Sequence, residues 1–239
     1  MKCTWLGQAG FLFETGGGVK IMADPYLSNR LEELKGKAFR RQVPIDESFL
    51  HTPDILVLTH CHDDHTDYAT LDMLFTGKKM HVLAPESVIP PLRERYGAAA
   101  EYVMFRPGTQ ITLYDVLLTA WPAAHSDLCA IGFTLQADGE LVYHMGDTLY
   151  STAIAESGPK GADLLILPIN GKGNNMNAVD AARMTCALAP KAVLPMHWDM
   201  FREYGSDPRL FEAAMPGGGK IRIVLAEHYR SFELLTLTD

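Results

Sequence analysis

Over its first third the chain alternates short apolar runs with glycine-rich breaks, a pattern of strands and tight turns rather than of helices. Residues 3–6, 11–14 and 19–23 read as strands separated by Gly7, Gly10 and the triplet Gly16-Gly17-Gly18, and the set closes at Asp24-Pro25. Residues 27–47 are charged and irregular apart from a short helix over 30–35, and a loop of that length is commonly functional. From residue 54 the elements alternate in type. Strand 54–59 precedes a helix over 68–75, where Tyr68, Leu71, Leu74 and Phe75 share a face, and strand 81–83 precedes a helix over 86–96. Strands follow at 102–105, 110–114, 116–121, 131–136 and 141–145, the last two joined by a turn whose Asp138-Gly139 is a hairpin signal. Strand 164–167, helix 178–188 capped by Asn177, strand 192–195, helix 208–214 and closing strands at 221–225 and 232–237 complete the pattern. Mixed sheets with helices outside them are expected, within one domain, because no low-complexity tract, fixed-period repeat or linker divides the chain.

Composition narrows the partners. The chain has 239 residues, 47% of them hydrophobic, enough for a sizeable core of an ordinary soluble protein. Its 21 basic and 29 acidic residues give a formal charge of −8, which opposes capture of a polyanion, so nucleic acid is not an expected partner. No run approaches the ~18 apolar residues of a membrane span, and Met1-Lys2-Cys3-Thr4-Trp5 carries no signal pattern. A cytoplasmic protein without a membrane partner is expected. Cys3, Cys61, Cys129 and Cys186 are widely spaced with no C-x-x-C pair, so they are expected reduced and mostly as packing residues.

One segment concentrates the chemistry. Directly after strand 54–59, Thr59-His60-Cys61-His62-Asp63-Asp64-His65 packs three imidazoles and two carboxylates into seven positions. In an extended segment His60 and His62 share a face and can grip one cation, while Cys61 looks away. The turn that follows offers the oxygen of Asp64 and the nitrogen of His65 to a second cation. Four such donors so close together form a costly cluster without a cation to neutralise it, and imidazole with carboxylate suits zinc, manganese or iron. Three further donors stand where predicted strands end: His125 after Pro122-Ala123-Ala124, Asp147 after Gly146, and His197 in Pro195-Met196-His197. Each alone reads as readily as a structural residue, and only their coincidence with the first cluster points to ligation. His51 and His81 read as surface groups, His144 as a neighbour of Asp147, His228 as a rim residue and Asp63 as a solvated neighbour.

The motif His60-x-His62-x-Asp64-His65, followed in order by His125, Asp147 and His197, resembles the signature of the metallo-β-lactamase-fold metal-dependent hydrolases. Within that superfamily the chain most resembles the L-ascorbate-6-phosphate lactonase-like branch, through residues 5–11, 21–28, 143–150, 167–171 and 175–177 and through Pro195-Met196-His197-Trp198-Asp199-Met200-Phe201. The resemblance implies an α/β (α+β) fold, a four-layer αββα sandwich of two mixed β-sheets flanked by helices. It implies that His60, His62 and His125 hold one divalent ion, that Asp64, His65 and His197 hold a second, and that Asp147 bridges; zinc and manganese both accept this set.

Two cations ~3.5–4 Å apart lower the pKa of a shared water towards neutrality and polarise a carbonyl or phosphoryl oxygen. Hydrolysis of a small anionic ester or lactone by metal-bound hydroxide is therefore the leading expectation. Asp64 is the catalytic residue in that reading, orienting the hydroxide and passing a proton to the leaving group. A small-molecule phosphodiesterase of the same fold is the alternative. An iron redox enzyme is a further rival, although the diiron branch usually has an acidic residue where His62 stands, and a non-catalytic metal-binding protein is another. For the substrate, the loop 170–177 offers Asn170, Lys172, Asn174 and Asn177 at a helix entrance suited to an anion, or alternatively a turn with capping asparagines. Arg40 and Arg41 read either as bidentate phosphate binders or as solvated charges. The expected partner is a small-molecule substrate, and a homo-oligomer is left open.

Overall fold

The most apolar runs, residues 55–57, 164–168 and 192–196, become central strands because each can bury both of its faces. In the computed structural model, which describes residues 1–217 and 220–234, fourteen strands form two sheets of seven. The first sheet contains β1 (Lys2–Gly7), β2 (Gly10–Glu14), β3 (Lys20–Ala23), β4 (Ile55–Val57), β5 (Met80–Ala84) and β6 (Ala100–Met104). The second contains β7 (Gln110–Leu113), β8 (Val116–Pro122), β9 (Ile131–Ala137), β10 (Glu140–His144), β11 (Leu164–Pro168), β12 (Ala192–Met196) and β13 (Arg222–Ile223), while β14 (Ser231–Glu233) returns to pair with β1. In spatial order the sheets run β14-β1-β2-β3-β4-β5-β6 and β7-β8-β9-β10-β11-β12-β13. Each is antiparallel over its first three pairings and parallel over its last three.

Side-chain parity builds the layers. Ile55 and Val57 of β4 and Leu164 and Ile166 of β11 point into the core shared by the two sheets. Their neighbours point outward: Leu56 meets helices α2 (Tyr68–Leu74) and α3 (Ile89–Tyr96), and Leu165 meets α4 (Thr152–Ser157), α5 (Ala178–Leu188) and α6 (Pro208–Ala214). Burial of each such side chain is worth about 1.5–3 kcal/mol, more than the ~1 kcal/mol span of strand propensity, so the alternation decides the register. Helices, sheet, sheet and helices follow in turn, the four-layer sandwich that the family resemblance implies. A shorter helix, α1 (Arg30–Lys35), lies in the long early loop.

Differences from the sequence reading are local. The helix expected from residue 86 begins at Ile89, because residues 85–88 form a turn and Pro90 and Pro91 occupy first-turn positions where no N–H is needed. Helix α4 was not expected: its buried residues, Ile154 and Ala155, are adjacent and carry no helical spacing. The strand expected over 232–237 is seen as Ser231–Glu233, and residues 235–237 lie outside the described residues. Only Cys3 of the four cysteines is buried, so the packing role expected for most of them fails: Cys61 and Cys186 are exposed. Among the described residues no helix is long and apolar enough to cross a membrane.

The strands β1, β3 and β4 of one sheet and β8, β10 and β12 of the other end where the donors gather. Gly146 makes the turn from β10 to Asp147: its φ is +61°, and a Cβ there would stand 2.6 Å from the carbonyl oxygen of Ile131. Gly146→Ala is expected to destabilise the fold by about 1–3 kcal/mol, read as a lower urea midpoint at an unchanged m-value.

Candidate metal centre

All seven sequence-predicted ligands converge. His60, His62, Asp64 and His65 follow β4, His125 follows β8, Asp147 follows β10 and His197 follows β12. Their donor atoms form three overlapping groups: His60, His62 and His125; His60, His65 and Asp147; and Asp64, His65 and His197.

In the first group His62 Nδ1 lies 3.1 Å from His60 Nε2 and 3.2 Å from His125 Nε2. The far nitrogens fix the tautomers. His125 Nδ1 donates to the carbonyl of Asn174 at 3.2 Å. Thr59 Oγ1 gives its own proton to Asp24 and so accepts from His60 Nδ1 at 3.0 Å. Both Nε2 atoms therefore turn lone pairs towards His62 Nδ1, which can donate to at most one of them. Nitrogens each ~2.0–2.1 Å from a tetrahedral zinc stand about 3.3 Å apart, close to what is seen, so the trio fits a divalent cation. Burial lowers the pKa of both His60 and His125, which keeps them neutral and ready to ligate.

The group of Asp64, His65 and His197, with Asp147 beside it, is charged. His197 Nε2 lies 3.3 Å from Asp64 Oδ2 and 3.2 Å from Asp147 Oδ2, and His65 Nε2 lies 3.4 Å from Asp147 Oδ1. His65 Nε2 and Asp147 Oδ1 are buried without a hydrogen-bond partner, as expected of atoms reserved for a cation. Burial opposes charge on His65, yet Asp147, Asp64 and Asp24 outweigh it and hold the imidazole well above its usual value. Against the same burial, Asp147 and Asp64 raise His197 to about 9. Reciprocally, His65 and His197 hold the carboxyls of Asp64 and Asp147 well below the usual range despite burial.

The outer sphere was not legible as such in the sequence. Asp24, fully buried, accepts from Thr59 N at 2.8 Å, Thr59 Oγ1 at 2.5 Å and His65 Nδ1 at 2.7 Å. Asn175 donates to Asp147 Oδ2 at 2.8 Å and accepts from Thr148 N at 3.0 Å. Gln8 Nε2 donates to Asp64 Oδ2 at 2.7 Å. Asp-Pro at a strand end and amides in glycine-rich turns looked like turn formers, and although all three residues fall in stretches that carry the family resemblance, nothing local assigned them a role at the centre. His144, expected near Asp147, is a satisfied core residue: Gly146 N donates to its Nδ1 and its Nε2 meets Ala9 O.

A cavity of about 220 Å³ opens over the donors. Its floor holds Gln8, His62, Asp64, Asp147 and His197, its wall Phe39, Phe201 and Tyr204, and its rim Lys35, Ser126, Asn170, Lys172 and Asn174. Asn170, Lys172 and Asn174 of the proposed substrate loop thus line the site. Asn177 does not; its Oδ1 accepts from Val179 N and Asp180 N as the cap of α5. Arg40 and Arg41 line a different hollow, with Glu32 and Glu33. Arg41 is committed to the backbone carbonyls of Tyr26 and Val43 and to Tyr229 Oη, which leaves its guanidinium clamping the loop rather than facing a phosphate at the centre. His228 lies against the Trp5 ring and pairs with Asp199 at 3.1 Å, away from the lining of this cavity. Another hollow of about 210 Å³, beside Lys2, Glu14, Lys20 and His51, collects none of the seven donors.

Residues 2–197 match the family described as the beta-lactamase superfamily domain, and the chain belongs to it. It is similar to the UPF0173 metal-dependent hydrolase PF1764 of Pyrococcus furiosus, at 29% identity over 98% of this chain and 100% of that protein. Among solved structures it is similar to Igni18, a metallo hydrolase from the archaeon Ignicoccus hospitalis, with TM-score 0.74, 26% identity and coverage of 97% and 98% of the two chains. An isothiocyanate hydrolase from Delia radicum gut bacteria superposes with TM-score 0.74 at 18% identity, covering 98% and 99%, a likeness of fold alone.

Two expectations follow. Asp24→Asn keeps the side-chain volume but loses the charge that orients His65 and, through Thr59, His60; metal affinity in a chelator competition should fall about 10–100-fold. Ligating nitrogens must be deprotonated, so filling the Asp64, His65 and His197 position near pH 7 should expel protons, and affinity there should climb until about pH 9, where His197 loses its proton. The metal-free fold should show the opposite slope: the charged His197 contributes fully below the unfolded imidazole pKa of ~6.5 and loses that contribution as pH rises through about 9. Calorimetry in buffers of differing ionisation enthalpy measures the release, and heats independent of buffer would contradict it.

Proposed function

We propose that the protein opens a small anionic ester or lactone at this centre, in the manner of the L-ascorbate-6-phosphate lactonase-like branch, as the finer form of the metal-dependent hydrolase that its family and its His/Asp cluster define. The observation that carries the reading is a small cavity with the donor cluster at its floor and two lysines at its rim. At about 220 Å³ it falls below the ~300–1,000 Å³ of sites for drug-sized ligands, which favours a small reacting group.

Bound divalent cations supply Lewis acidity, lowering the pKa of water and polarising a carbonyl or phosphoryl oxygen. The chain's own groups do the rest. Asp64, at the cavity floor and held ionised by His65 and His197 against its burial, takes a proton from the attacking water and returns it to the leaving oxygen. Lys35 Nζ pairs with Asp63 at 2.8 Å and Lys172 Nζ donates to Glu203 O at 2.5 Å, so each ammonium keeps further N–H donors for an anionic substituent. Asn170 is anchored through Nδ2 to Tyr204 O at 3.1 Å, and its buried Oδ1 has no partner, which suits a substrate hydroxyl. Phe39, stacked on Tyr204 with ring centroids 4.5 Å apart and edge-on to Phe201, excludes water from one side. Cys61 is no rival nucleophile: although the residue is exposed, partial desolvation of its sulfur and then the adjacent Asp127 carboxylate raise the thiol pKa to about 11.

The cationic rim suits a small phosphodiester too, and that is the second reading. With zinc or manganese restored, lactones should turn over faster than bis-nitrophenyl phosphate; the reverse order would transfer the assignment to a phosphodiesterase. His62→Ala and Asp147→Ala should each abolish turnover and lower the metal content found by elemental analysis. Full activity in either would refute the site.

A further inference from the structure

We propose that Gln8, in the turn between the first two strands, is the positioning residue of the second cation position and has no part in the first; this rests on the metal-centre reading above. The turn is built to hold one side chain in place. Gly7 has φ +95° and Gln8 itself φ +52°, a left-handed conformation a glutamine rarely adopts. A Cβ on Gly7 would stand 2.3 Å from Met200 Cε, so the turn packs tightly on the loop that follows β12. The Gln8 carbonyl accepts from Trp5 Nε1 at 3.1 Å and from His197 N at 3.2 Å, and only 1% of the residue is exposed.

From that anchorage the side-chain amide reaches two ligands. Its Nε2 lies 2.7 Å from Asp64 Oδ2 and 2.8 Å and 3.3 Å from the two ring nitrogens of His197. An ionised carboxylate only accepts, so the amide must turn its nitrogen and not its oxygen to Asp64. Nearness to both ring nitrogens at once places Nε2 against the face of the imidazole, off the in-plane direction in which either nitrogen would ligate. The amide therefore braces the ring without competing for its lone pair. Asp64 Oδ2 is the same oxygen that stands 3.3 Å from His197 Nε2 and 3.7 Å from His65 Nε2. A carboxylate oxygen can ligate a cation and still accept one hydrogen bond, and the bond fixes which way the carboxylate turns. Gln8 thus ties Asp64, carried by the first sheet, to His197, carried by the second. Among the described residues its side chain forms hydrogen bonds to Asp64 and His197 and none to His60, His62 or His125.

The test is a titration of chelator-stripped full-length protein with zinc or manganese alone, comparing wild type with Gln8→Met, which keeps the length of the side chain and removes the donor, and with Gln8→Ala. Wild type should take up two equivalents. In Gln8→Met the first binding constant should stay within about twofold while the second weakens by about 10–100-fold, the range for outer-sphere partners. Circular dichroism checks that each variant is folded, and Gln8→Met stands alone if Gln8→Ala is not. An unchanged second constant, equal weakening of both steps, or uptake of only one equivalent by wild type would overturn the proposal. Failure of wild type to bind even the first equivalent would instead sink the metal centre itself.

Discussion

The carboxylate of Asp24 has no contact with solvent and no lysine or arginine among its hydrogen-bond partners, yet three donors converge on it: Thr59 N, Thr59 Oγ1 and His65 Nδ1. An ion taken out of water is tolerated only with such compensation. The compensation has a direction. It forces His65 to turn Nε2 to the centre and, by spending the threonine proton, makes Thr59 an acceptor that forces His60 to do the same. One buried anion at the end of β3 thereby sets the tautomer of a ligand in each donor group, and the segment between β4 and His65 must fold around it.

The two donor groups differ in electrical character, and the difference follows from where the carboxylates lie. His60 and His125 are neutral imidazoles whose main influence is burial. His65 and His197 face Asp64 and Asp147, whose charges outweigh burial and raise both imidazoles. A trio of neutral nitrogens beside a zwitterionic cluster gives a centre with unlike halves, on which the cavity, its aromatic wall and its lysine rim are then superimposed. The proposed substrate reading rests on that rim and wall rather than on the donors themselves.

What could be read from the sequence and what could not divide along a physical line. The spacing of His60, His62, Asp64 and His65 carries its meaning locally, because extended backbone followed by a turn dictates which side chains converge. His125, Asp147 and His197 were legible one step less directly, as donors at strand ends. Mixed sheets with outer helices were legible from the spacing and length of the apolar runs, while their arrangement as a four-layer sandwich came from the family resemblance. Asp24, Gln8 and Asn175 were not legible, since their partners lie 41, 56 and 28 positions away and nothing nearby distinguishes them from turn residues. Arg41 misled in the opposite sense: its acceptor Tyr229 is 188 positions distant, so a structural clamp looked like a free cation. Asn177 had two readings, and the helix it caps decided between them.

The sheets share one order of pairings, antiparallel and then parallel, and each contributes its own donors along the common edge. Any ion seated among them is therefore a rivet through a seam, fastening the amino-terminal half of the chain to the carboxy-terminal half. Idleness and looseness become one condition in such a molecule: starved of its ion, it would lose grip as well as chemistry, and the cell's quality control would meet the same defect that its metabolism feels.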